Sequence, residues 1–189
     1  MMKTKALFAF LFLLAFGGIV LGQDAKPAEK LSIAQVLDRS VTGVEKEFVP
    51  AAEAMPEDKY SFAPTNGEFK GARTFAQQVK HVAAVNYLVG ASILEEKPPV
   101  EVGGENGPDS VKSKAEIVKF LKDSFAYVHK AIGTINEGNL LASIKSPFGE
   151  GKTTRLGMAT LIFGHCFDHY GQVAVYLRMN GIVPPASRG

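Results

Sequence analysis

"FGHCFDHYGQVAVYLRMNG", residues 163–181, holds two of the four histidines of the chain, its single cysteine and an aspartate between the histidines. The rest of the stretch is mostly apolar, and it ends on Asn180-Gly181, a helix stop signal. Placed on a helical wheel with His165 at zero, His169 falls at about 40°, Met158 and Tyr176 at about 20°, Ile162 at about 60° and Val173 at about 80°. Both histidines therefore point where the apolar stripe points, toward a helix-packed interior. An i,i+4 histidine pair on one helix face can hold one metal ion, but two imidazoles alone make a weak site.

Upstream, helix-start signals recur in one form. Ser32-Ile-Ala-Gln35, Thr74-Phe-Ala-Gln77 and Ser113-Lys-Ala-Glu116 each have the hydroxyl and the Gln or Glu of a capping box, which satisfies two orphan backbone donors reciprocally. Thr153 or Thr154 offers a plainer cap before the stretch above. These signals predict four helices, 32–54, 74–96, 113–137 and 154–180. The first meets Pro50, which is expected to kink or end it. The third is expected to end near Gly138. The connections are long and rich in Gly, Pro and Asn; within the last of them "LLASI" has the composition for a short extended piece. Amphipathic helices of this length need one another to bury their stripes, so the expected fold is all-α, a four-helix bundle spanning 32–181, with a tail at 182–189.

His81, in "QQVKHVAAVNYL" of the second helix, lies at the margin of its buried face, with Val85 about 40° and Val82 about 100° away. His81, His165 and His169 together form a candidate site with open coordination positions, the pattern of a catalytic rather than a structural metal. The remaining residues divide more plainly. Gln172 and Tyr176 lie near the same face and either orient the imidazoles or cap a polar layer of the bundle. Asp168, about 100° from His169, reads as a surface partner or a hydrogen bond to a loop rather than as a ligand. Cys166 reads as a small buried hydrophobe, and His129 as a surface or rim residue. No general acid or base is placed in the helices; Glu68 and Glu150 are the loop candidates.

A histidine early in helix two, then His-x-x-x-His followed by x-Gly-Gln in helix four, resembles the DinB superfamily of metal-binding four-helix bundles. The residues concerned are His81, His165, His169 and Tyr170-Gly171-Gln172, and "MPEDKYSFAPTNGEFKGARTFAQQVKHVA" is similar to that family's first loop and helix-two entry. The resemblance implies a divalent metal, nickel or zinc, on the three histidines, with a small molecule as substrate. It implies a metal-dependent hydrolase or thiol transferase, or else a non-catalytic metal-binding or stress-related module. A homodimer is a further expectation. Tyr170 stands where arginine often follows the last histidine of the family.

"MMKTKALFAFLFLLAFGGIVLGQ" has Lys3 and Lys5 ahead of an uncharged run, Ala6 to Leu21, and a small residue at Gly22. These are the parts of a secretory signal peptide, residues 1–22, with the mature chain starting at Gln23; an uncleaved anchor is the alternative, for which the run is slightly short. Residues 23–31 form a polar lead-in. The expected location is periplasmic or secreted, with no membrane association after cleavage. The leader carries two of the 21 Lys and Arg and none of the 19 Asp and Glu. The mature chain is therefore neutral, and no basic cluster remains to argue for nucleic acid.

Overall fold

The computed structural model describes residues 30–189. The signal-peptide reading and most of the lead-in lie outside the described residues. Four helices carry the fold: α1 (Ile33–Ala54), α2 (Phe75–Leu94), α3 (Lys114–Ile132) and α4 (Arg155–Met179). Two short strands, β1 (Ser143–Lys145) and β2 (Lys152–Thr154), pair antiparallel just before α4. Helix α2 packs on α3 and α4, and α1 packs on the same two, so α1 and α2 stand on opposite corners of a four-helix bundle. That diagonal step requires the long 55–74 connection. Among the described residues no helix is long and apolar enough to cross a membrane.

The start signals act as expected. Ser32, Thr74 and Ser113 each complete both halves of a capping box, and Thr154 rather than Thr153 caps α4 through the Gly157 N–H at 3.0 Å. The ends differ more. Helix α1 does not stop at Pro50 but runs on to Ala54. Proline removes one backbone donor there, while the helix's terminal carbonyls find partners elsewhere. The Tyr60 hydroxyl donates to the Ala52 carbonyl at 2.7 Å, and the Lys114 ammonium donates to the Glu53 and Met55 carbonyls, each at 2.7 Å. Helix α3 ends at Ile132, short of the expected 137. Gly133 forms the cap, and the Asn136 and Asn139 side chains then hold the following backbone in a turn, a local alternative to helix. The "LLASI" stretch contributes β1, as its composition suggests.

The core is one cluster drawn from all four helices, with Phe48, Phe75, Phe125, Leu121, Ile162 and Leu177 among its fully buried members. Three polar side chains are buried within it as a closed set. Asn86 of α2 donates to the Ser124 hydroxyl of α3 at 3.2 Å, and Ser124 donates to its own helix at the Leu121 carbonyl. The Cys166 thiol of α4 approaches the Asn86 carbonyl oxygen at 3.5 Å. Buried polar groups are tolerated where each has a partner, and these tie three helices at one level. The 182–189 tail contains a single helical turn, Pro185–Ser187, against α1.

Candidate metal centre

His81 projects from the first half of α2, and His165 and His169 from the middle of α4, where the two helices pack together. One ring nitrogen of each can be chosen so that all three lie within 4.8 Å of one another. The His81 and His165 Nε2 atoms are 3.1 Å apart. Nitrogens bonded to a single zinc at about 2.0–2.1 Å sit about 3.3 Å apart in a tetrahedron, so the His81–His165 pair already stands near the spacing of a shared ion.

Hydrogen bonds fix which nitrogens face the centre. The Asp168 carboxylate can only accept, so at 3.3 Å it takes the Gln172 Nε2–H. The Gln172 oxygen then accepts from Gln78 Nε2 at 2.7 Å, and the Gln78 oxygen accepts from His169 Nδ1 at 2.7 Å. A direction set by one surface carboxylate is thus carried through two amides to a buried ring, and it leaves His169 Nε2 with its lone pair. His81 reaches the same state by another route. Its Nδ1–H donates to the Glu105 backbone carbonyl at 2.5 Å, leaving the Nε2 lone pair directed at His165.

His165 is the ring without such support. Its Nδ1 is buried and has no partner, the one such side-chain atom among the described residues. With a lone pair on His81 Nε2, the facing His165 Nε2 must present a proton, or both nitrogens must share a cation. This orphaned, buried arrangement of neutral donors fits a divalent ion of imidazole preference.

The electrostatics agree. Burial, and then the neighbouring His169, His81 and Arg73, push His165 down to about 3. Burial, then His81 and Arg73, hold His169 at about 4 against a smaller opposing pull from Asp168. His81 is lowered as well, mainly by burial. All three rings are therefore neutral at physiological pH, the state that ligates.

The other expected residues are placed as follows. Gln172 acts one residue removed, through Gln78. The Tyr176 hydroxyl donates to the Arg73 carbonyl at 3.0 Å, and its ring stands edge-on to Phe62. Asp168 is exposed and is no member of the cluster. Cys166 is fully buried, its thiol pushed up to about 12 by burial. Glu68 and Glu150 are exposed loop residues. The hairpin carrying Glu150 docks near Ser92, whose hydroxyl donates to the Lys145 carbonyl, about 16 Å along α2 from His81 at 1.5 Å per residue. His129 is half-buried between carboxylates of α1, Nδ1 to Asp38 at 2.5 Å and Nε2 to Glu45 at 3.0 Å. It bridges α1 and α3 and takes no part in the cluster. Gln78, Arg73 and the Glu105 carbonyl were not legible as site residues. Gln78 alone had a signal, a polar side chain one turn before His81 on a buried face.

Residues 41–173 match the model of the DinB superfamily, and the chain belongs to that family. Three solved structures share its fold. A DinB-like protein from Bacillus cereus is 15% identical with a TM-score of 0.61, covering 79% of this chain and 93% of its own. A conserved protein from Enterococcus faecalis is 15% identical with a TM-score of 0.63, covering 79% and 98%. YfiT from Bacillus subtilis, described as a probable metal-dependent hydrolase with an unusual four-helix bundle topology, is 15% identical with a TM-score of 0.56, covering 83% and 94%. No curated protein matches the sequence.

Proposed function

We propose that the chain is an exported metal-binding protein that holds one divalent ion, nickel or zinc, on His81, His165 and His169 and uses it in a hydrolase or transferase reaction on a small molecule. The observation that carries the metal reading is the convergence of three neutral imidazoles from two helices, two with their outer nitrogens already committed to acceptors. YfiT's description as a probable metal-dependent hydrolase supports the hydrolase alternative.

A divalent ion held there supplies Lewis acidity toward a substrate oxygen or sulfur. The chain's own residues do the rest. Gln78 and the Glu105 carbonyl hold two rings in the ligating tautomer, and burial between α2 and α4 favours the neutral form of all three. Three protein ligands leave coordination positions for a substrate.

The alternative is a non-catalytic metal-binding or stress-related module that uses the same three histidines without turnover. Elemental analysis of the purified mature protein, followed by a screen of ester, amide and thiol substrates, separates the two. Bound zinc or nickel near one equivalent with turnover supports the enzyme, the same metal without turnover supports the binding module, and no metal ends both. For export, N-terminal sequencing of the product should begin at Gln23; an intact Met1 on a membrane-bound product would end that part of the reading.

A further inference from the structure

We propose that the 103–108 turn, locked by Arg73, is the positioning device that fixes the tautomer and orientation of His81 and so sets the metal affinity of the cluster. This rests on the metal reading above.

His81 differs from His169 in the source of its outer support. Where His169 leans on a side chain of the adjoining helix, His81 leans on a backbone carbonyl of the α2–α3 connection, that of Glu105. A carbonyl cannot donate. As long as it stays in place, the ring must carry its proton on Nδ1 and offer Nε2 to the centre.

The turn is shaped to lie flat against α2 beside that ring. Gly107 N–H closes back on the Gly104 carbonyl at 3.0 Å. Gly103 and Gly107 sit at φ +68° and +75°, which side chains rarely adopt. A Cβ on Gly107 would come within 2.6 Å of the Lys80 Cβ, the residue before His81, and one on Gly103 within 2.5 Å of the Pro108 nitrogen. The Lys80 ammonium in turn donates to the Pro108 carbonyl at 3.0 Å. Only glycine lets the turn approach closely enough for the Glu105 carbonyl to reach the ring.

Arg73 grips the same turn through two side chains. Its Nη2 donates to the Glu105 carboxylate and its Nε to the Asn106 side-chain oxygen, both at 3.0 Å. Its own carbonyl accepts the Tyr176 hydroxyl of α4. The Glu105 side chain is 87% exposed, so the ion pair adds little stability; what the fork contributes is position. Tyr176, two turns beyond His169, thereby acts on the site through Arg73 rather than through an imidazole.

The test uses the mature chain, with Arg73→Ala, Arg73→Lys, Gly107→Ala and, as a milder variant that keeps the ion pair, Asn106→Ala. Long-range proton–nitrogen NMR of the metal-free protein reads the His81 tautomer, and competition with a chromogenic chelator reads zinc and nickel affinity. The wild-type protein should show a single Nδ1–H tautomer at His81. Arg73→Ala and Gly107→Ala should mix the tautomers and weaken metal binding about 10- to 100-fold, the usual effect of losing an outer partner. Arg73→Lys should recover part of the loss, since it keeps the charge without the two-pronged geometry, and Asn106→Ala should give a smaller loss. Affinities within twofold of wild type with an unchanged tautomer in both Arg73→Ala and Gly107→Ala would overturn the proposal. A wild-type protein that takes up neither ion overturns the metal reading and the affinity half with it. The metal-free tautomer comparison then still decides whether the turn orients His81.

Discussion

The Nε2 atoms of His81 and His165 face each other at 3.1 Å across the α2–α4 contact, and the first carries a lone pair because its other nitrogen donates to Glu105. Neither ring is charged at neutral pH. Two neutral rings in this pose need one proton or one cation between them.

Replacing a proposed ligand is the direct test. His169→Ala should abolish stoichiometric zinc or nickel binding, since a two-imidazole site exchanges its ion freely. The bundle rests on the shared apolar core, so far-ultraviolet circular dichroism should change little. Thermal stability in the presence of metal should fall toward that of the metal-free protein, because an ion bound only by the folded state stabilises it by mass action. His129→Ala is the control and should keep the metal, its ring being committed to Asp38 and Glu45. Loss of metal from the His129 variant with retention in the His169 variant would place the ion at His129 and overturn the proposed site.

The contrast between those histidines marks what a sequence can and cannot carry. The stripe on α4 placed His165 and His169 inward because helical periodicity is local, and the capping boxes located three helix starts for the same reason. The environment of His129 was not legible, since Asp38 and Glu45 approach it from a helix more than eighty residues away in the chain. Glu105 was less legible still, because the group that matters is its backbone carbonyl, whose position follows from a turn and not from its side chain. The end of α3 falls short of the apolar pattern because asparagine side chains, competing with helix through their own hydrogen bonds, outweigh it.

His129 predicts a pH dependence of stability. Burial lowers its pKa, but hydrogen bonds and charge from Asp38 and Glu45 outweigh that and leave it raised overall. A raised folded-state pKa contributes stability that is fully present below the unfolded value, about 6.5, and is lost as pH rises through the folded one. The melting-temperature gap between wild type and His129→Gln should therefore be wide at pH 5.5 and narrow at pH 9. A gap that is constant or widens with pH would contradict the bridged-imidazolium reading.

The three clustered rings carry the opposite sign. Their pKa values are lowered on folding, to about 3 for His165 and about 4 for His169. The unfolded chain binds more protons below about 6.5, so the metal-free protein should lose stability as pH falls from there toward 4. Denaturant titrations at pH 7 and pH 4.5 should show the loss. Replacing His165 by Asn should diminish it.

Gln78 is the residue through which α2 holds His169. Gln78→Leu removes the acceptor of His169 Nδ1–H and leaves a buried donor unpaired, a cost of about 1–3 kcal/mol. Metal affinity should drop about 10- to 100-fold, because the ring is then free to change tautomer. Gln78→Glu, which still accepts, should retain most of the affinity. Chelator competition on both variants checks this; equal losses would show that the acceptor at position 78 is not what holds the ring.

Cys166 gives the last test, one of packing rather than of chemistry. The thiol is fully buried beside Asn86 and pushed up to about 12 by burial. Thiolate is the reactive form, and almost none exists at pH 8 in such a site. A chromogenic disulfide reagent should therefore leave native protein unmodified over hours and react fully once denaturant unfolds it. The native rate should then follow the rate or extent of opening of the bundle, as with any group exposed only in the unfolded state. Cys166→Ser should cost stability without changing metal affinity, since a hydroxyl can keep the bond to Asn86 but packs less well than sulfur. Rapid labelling of the native protein would contradict the buried placement, and metal loss in Cys166→Ser at unchanged fold would place the thiol at the metal centre.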